Sequence, residues 1–107
     1  MIQLGGDERA GGEKLEMALA YAQEAAENGL YLSCVQAVRH AVEAATEVGL
    51  HRQDATFAKL AAGLDVARVA LTKMTSAGFK LYSREVALQF RDMRDRVAVL
   101  MTAATMH

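Results

Sequence analysis

Residues 29–33, Gly-Leu-Tyr-Leu-Ser, carry the pattern that decides the fold, and residues 49–54 (GLHRQD) and 78–83 (GFKLYS) repeat its form. Each stretch begins with a glycine that is followed by a large apolar residue, and each stretch ends with Ser or Asp. A glycine just beyond a helix can adopt the left-handed conformation that closes the last turn, and the apolar residue packs back onto that turn. Ser or Asp can then accept hydrogen bonds from the free amides of the next helix. The pattern predicts three joints between helices, with three capping residues: Ser33, Asp54 and Ser83.

Between these joints, apolar residues recur at steps of three and four, as in Phe57, Leu60 and Leu64, which is the spacing of one helical face. Short joints favour antiparallel neighbours, so the sequence predicts an all-α, antiparallel up-down four-helix bundle. Gly63 interrupts the third apolar stripe at a cost of about 1 kcal/mol relative to alanine, and a close helix crossing there would explain it. The predicted helices span approximately residues 13–28, 34–48, 55–77 and 84–104.

The N-terminal residues 1–12 differ from the rest of the chain, because they contain four glycines and the charged run Asp7-Glu8-Arg9. We expect them to form a flexible arm that precedes a single domain over residues 13–107. A chain of 107 residues is the length of one domain.

Charge is balanced over the whole chain but not along it. The net charge is −1, yet residues 1–28 hold six acids against two bases, and residues 51–107 hold nine bases against five acids. Electrostatic complementarity within the bundle or across a dimer would explain this distribution. The basic half contains interspersed acids and lacks interleaved aromatic residues, so nucleic acid is not the expected partner.

The cellular setting follows from simple features of the sequence. Cys34 is the only cysteine, which excludes an internal disulfide. The first nine residues are too polar for a signal peptide, and no run of about 18 apolar residues indicates a membrane span. We therefore expect a cytoplasmic protein without a membrane partner.

Candidate catalytic and metal-binding residues are few. Cys34 lies near the start of the second helix, but its neighbours are apolar, so a buried structural thiol is expected. His40-x-x-Glu43 reverses the Glu-x-x-His order of di-iron bundles, and the third and fourth predicted helices contain no histidine. His40 is expected at an edge of the bundle or on its surface. The sequence predicts no catalytic residue, no metal and no cofactor.

Residues 15–50 carry the phrases AAENGLY (25–31) and QAVRHAVEAA (36–45), and they resemble the first helical pair of HEPN domains. That resemblance implies a helical bundle, often dimeric, which pairs with nucleotidyltransferases or acts as a ribonuclease. Arg94-Asp95 resembles the start of the family's ribonuclease motif. Residues 98–101 are Ala-Val-Leu-Met where that motif requires histidine, so the resemblance implies nucleotide or RNA binding without an intact ribonuclease motif.

The fourth predicted helix contains more apolar residues than one buried face requires. Val97, Leu100 and Ala104 form its inner stripe, and further apolar residues lie on other faces. A helix that is apolar on several faces is covered on more than one side. A closed two-fold dimer is the commonest such arrangement, and methionine suits an adaptable surface. The predicted interface comprises Leu88, Val99, Met101 and Met106.

The sequence thus predicts a non-enzymatic helical module that binds protein, either a second copy of itself or a partner helix, as an adaptor, chaperone or antitoxin does. Two alternatives stay open. One is a HEPN-like domain that contacts RNA or nucleotides. The other is a bundle that binds a small apolar ligand in a cavity between alanine-rich helices. The residues expected to contact RNA or nucleotide are Arg91, Arg94 and Arg96.

Overall fold

A computed structural model describes the backbone of residues 4–105 and the side chains of residues 11–102. Nearly all of this part of the chain is helical, and it contains no strand. The predicted all-α bundle of four helices is confirmed. The helices are α1 (Leu4–Glu27), α2 (Tyr31–Arg52), α3 (Ala55–Thr72) and α4 (Ser76–Thr105).

The helices form an open arrangement around the α1–α2 pair. α4 packs along α1 and α3 packs along α2, whereas α3 and α4 do not pack extensively against each other. Their inner faces meet in one hydrophobic core whose small members are mostly alanines of α1 and α2. The largest fully buried side chains are Phe57, Phe79, Phe90, Leu15, Leu19, Leu64, Val38, Val97 and Cys34.

The first joint confirms the predicted glycine closure but not the predicted cap. Gly29 has φ 68°, and the amide of Leu30 donates to the carbonyl of Ala25 at 2.8 Å. This bond, together with that from Gly29 to Ala26 at 3.1 Å, forms a Schellman motif. α2 then begins at once at Tyr31, so Ser33 lies inside its first turn and the prediction of Ser33 as a cap is wrong.

The second joint lies later than predicted. α2 continues through Gly49 to Arg52, and Gln53 takes the left-handed conformation with φ 52°. Asp54 caps α3, as predicted, because its Oδ1 accepts a hydrogen bond from the amide of Thr56 at 2.9 Å. A Cβ at Gly49 would lie 3.4 Å from both Phe57 Cβ and the Ala58 amide nitrogen. Gly49 therefore accommodates the close approach of α3 and does not form the turn.

The left-handed backbone conformation of Gln53 is an unfavourable feature of this joint. A side chain in the left-handed region costs roughly 1–2 kcal/mol, which glycine avoids. We expect Gln53→Gly to raise the free energy of unfolding by about 1 kcal/mol, measured by urea titration. Ala62→Gly, at an exposed interior position of α3, is the matched control and should lower it by a similar amount. An equal loss in both variants would contradict the conformation assigned to Gln53.

The third joint also differs from the prediction. α3 ends at Thr72 and α4 begins at Ser76, so Gly78 and Ser83 lie inside α4. The cap is Thr75, whose Oγ1 accepts a hydrogen bond from the Gly78 amide at 2.9 Å. The predicted cap Ser83 is therefore wrong, and its hydroxyl lies 3.2 Å from the carbonyl oxygen of Lys80 within the helix.

Burial of Phe79 explains why α4 starts early. The Phe79 ring is fully buried and lies 5.3 Å from the Tyr31 ring, centroid to centroid, at 60°. The Tyr31 hydroxyl lies 2.6 Å from the carbonyl oxygen of Leu71 and 2.9 Å from that of Met74, at the end of α3. A helical Phe79 places its ring where α2, α3 and α4 converge.

α1 begins earlier than its predicted start at residue 13. Residues 4–12, assigned to the arm, are helical in the structure, although glycine disfavours helix. Gly12 is buried, and a Cβ there would overlap the end of the Met101 side chain. Packing of α4 against this part of α1 supplies a tertiary contact that sequence spacing does not reveal.

Candidate functional site

The outward face of α4 carries three exposed apolar side chains. Leu81 is 79% exposed, Leu88 43% and Val99 67%. At 3.6 residues per turn the three lie within about 20° of one another on the helix. The same geometry places them opposite Phe90 and Val97, which are buried in the core. These three residues, called the outer stripe below, form an apolar surface that is exposed in the monomer.

The structure brings together two of the four predicted interface residues. Leu88 and Val99 belong to the outer stripe, whereas Met101 packs against the core over Gly12. Met101 is therefore placed on the inner side of α4, because α1 runs beside it there. Met106 lies outside the described residues. Leu81 was missed because residues 78–83 were read as a joint, although its spacing of seven from Leu88 is the signal that identifies it.

Charged residues flank the outer stripe on both sides. Helical periodicity places Arg84 and Asp95 on the flank nearer α1, and Glu85 and Arg96 on the opposite flank. Asp92 lies within the stripe, and its Oδ1 is 3.7 Å from Nη2 of Arg91. Each flank thus carries one basic and one acidic residue, about three helical turns apart, and the order of the two signs is reversed between the flanks.

The three arginines proposed for RNA or nucleotide binding do not converge. Arg91 and Arg96 are both exposed, but helical periodicity places them on opposite sides of the outer stripe. Arg94 is half-buried on the side that faces α1. A phosphate-binding surface gathers its bases on one face, so RNA contact through these residues stays a prediction without geometric support.

A second apolar surface lies between α1 and α2, on the side away from α3 and α4. It is an open groove of about 810 Å³. Its base contains the buried alanines Ala18 and Ala44, and its walls include the exposed side chains of Met17, Tyr21 and Leu50. Its volume lies within the range of ligand-binding clefts, and an open apolar groove is also the kind of surface that receives an amphipathic helix.

A third surface is the groove between α3 and α4, of about 290 Å³, which follows from the open packing of these helices. Gly63 lines it, and a Cβ at Gly63 would meet no atom within 4 Å. The predicted close crossing at Gly63 is therefore wrong, because this face of α3 points to open space. Val66, whose side chain is 71% exposed, contributes to the apolar lining of this groove.

Cys34 is a buried structural residue, as predicted. Its Sγ lies 3.6 Å from the carbonyl oxygen of Ala22, and the residue is fully buried. Burial raises the pKa of the thiol from its ordinary value of 9.0 to about 11. Because the thiolate is the reactive form, this environment suppresses nucleophilic chemistry.

His40 lies at the surface, as predicted, with its Nδ1 4.0 Å from Oε2 of Glu43. Both side chains are mostly exposed, so this contact holds neither of them in a fixed geometry. Within the described part of the chain, no group of three or more His, Cys, Asp or Glu side chains is placed to hold a metal ion.

Comparisons with known proteins add no function. No known protein family, curated protein or solved structure matches the chain. The resemblance of residues 15–50 to HEPN domains therefore stays a prediction from those residues alone. Across residues 4–105, none of the helices combines the length and the apolar character that a membrane crossing requires.

Proposed function

We propose that this chain is a non-enzymatic helical module that acts by binding protein, and that it forms a homodimer through the outer face of α4. The observation that carries the proposal is the outer stripe of Leu81, Leu88 and Val99, exposed opposite the core. Removing apolar surface from water is the main driving force of association, and a closed two-fold dimer covers one such stripe with another.

The remaining surfaces fit an adaptor, chaperone or antitoxin role. With α4 in the dimer, the α1–α2 groove stays available for a helix of another protein, which would insert apolar side chains between Met17, Tyr21 and Leu50. A cytoplasmic location suits a chain whose single cysteine is unpaired.

Charge introduced into the outer stripe tests the dimer. We expect the wild type to sediment as a dimer at tens of micromolar, and Leu88→Glu/Val99→Glu to sediment as a folded 11.6 kDa monomer. Burying four carboxylates in a two-fold interface without partners should weaken association by at least about 100-fold. Circular dichroism of the variant should retain the helical signal, because both positions are exposed in the monomer.

Leu50→Glu is the matched control, since Leu50 is 75% exposed but lies in the α1–α2 groove. It should leave the dimer intact. A wild-type monomer over the same concentration range would contradict the proposed dimer. Loss of the dimer in Leu50→Glu, with its retention in the α4 variant, would instead place the interface in the α1–α2 groove.

A further inference from the structure

We infer that two copies of the chain pair antiparallel along α4, about a two-fold axis at the level of Phe90. This inference rests on the proposed homodimer and adds its orientation and its contacts. It follows from the order of residues along the outer face of α4, which is palindromic about that level for the outermost apolar residues and the flanking charges, but not for Leu88, which is level with Asp92.

The apolar residues match first. With the axis at Phe90, residues whose numbers sum to about 180 lie at the same height on the two helices, because each residue rises by about 1.5 Å. Leu81 of one copy is then level with Val99 of the other, and the reverse contact follows by symmetry. Both side chains are mostly exposed in the monomer and become covered at the two ends of the interface.

The charges match in the same arrangement. In an antiparallel pair each flank faces the same flank of the second copy. Arg84 is then level with Asp95 of the second copy, and on the other flank Glu85 is level with its Arg96. Symmetry doubles both, which gives four ion pairs of opposite sign. Exposed pairs contribute little affinity individually, but they select orientation.

The parallel arrangement is less favourable because of Asp92, which lies within the outer stripe. A parallel pair places Asp92 opposite Asp92 of the second copy, next to the axis. The antiparallel pair makes Asp92 level with Leu88 of the second copy and separates the two carboxylates by about 6 Å along the helices. The antiparallel pair also places the two helix dipoles side by side in opposite directions, which is favourable, whereas the parallel pair places them in the same direction.

Disulfide cross-linking distinguishes these orientations. Leu81→Cys and Val99→Cys variants, mixed in equal amounts in a glutathione redox buffer, should form a covalent heterodimer, and each variant alone should stay largely uncross-linked. Cys34 is buried and does not compete. Cross-linking of each single variant with itself would overturn the antiparallel orientation in favour of the parallel one. A dimer in sedimentation that forms no cross-link would overturn pairing through this stripe.

Charge exchange provides an independent readout. Arg84→Glu and Asp95→Arg should each weaken the dimer by about tenfold, and the double variant should recover the wild-type dissociation constant. The two positions are about 16 Å apart on one helix, so recovery requires contact between copies. Failure of the double variant to recover would overturn the orientation while leaving the dimer in place. A wild type that sediments as a monomer would instead overturn the homodimer itself.

Discussion

Replacing Phe79 with alanine is expected to lower the free energy of unfolding by about 3–5 kcal/mol, a large share of the stability of a domain of this size. Phe79 is fully buried and packs against the Tyr31 ring. Truncation leaves a cavity where the start of α2, the end of α3 and the start of α4 meet. Urea titration followed by circular dichroism measures the loss.

Tyr82→Ala is the matched control for Phe79, because it removes a ring of similar size that is 56% exposed. We expect this control to cost less than about 1 kcal/mol. If both variants lost the same stability, Phe79 would not be a core residue.

Alkaline pH should destabilise the fold through Cys34. Its thiol has a pKa of about 11 in the folded protein against 9.0 ordinarily, because burial disfavours the thiolate. The folded state therefore binds this proton more tightly than the unfolded state. The associated stability is fully present below pH 9.0 and is lost as pH rises towards about 11. At 1.36 kcal/mol for each pKa unit, the loss approaches about 3 kcal/mol.

Cys34→Ala isolates this contribution, because every other titratable group is common to both proteins. The difference in unfolding free energy between wild type and Cys34→Ala should shrink or reverse between about pH 8 and about pH 11. A difference that stays constant with pH would contradict the burial of the thiol. Alkylation of Cys34 by iodoacetamide should also be slow until the protein unfolds.

The joints show how far local sequence predicts this fold. The 29–33 stretch gave the correct turn, because a Schellman closure depends only on glycine and its immediate neighbours. At 49–54 the cap Asp54 was predicted correctly, but the left-handed residue is Gln53, since Gly49 is required for contact with α3. At 78–83 the glycine pattern predicted a joint that the structure does not have, because Phe79 is buried as part of α4.

The candidate site was predicted in part for a similar reason. The apolar surplus on α4 and the positions of Leu88 and Val99 are visible in the spacing of the sequence. Met101 was assigned to the interface wrongly, because its spacing of four from Val97 already places it near the buried face, where it packs over Gly12. The α1–α2 groove was not predicted, because it is formed by two helices together and neither helix shows a distinctive pattern on its own.

By itself the sequence determined the number of helices, their antiparallel order and the outward position of Leu88 and Val99. These features follow from residues a few positions apart, and backbone geometry links such residues directly. Only the tertiary structure decided the start of α4, the role of Gly49 and the open packing of α3 and α4. Each of these depends on volume shared between helices distant in sequence, and local spacing carries no information about that volume.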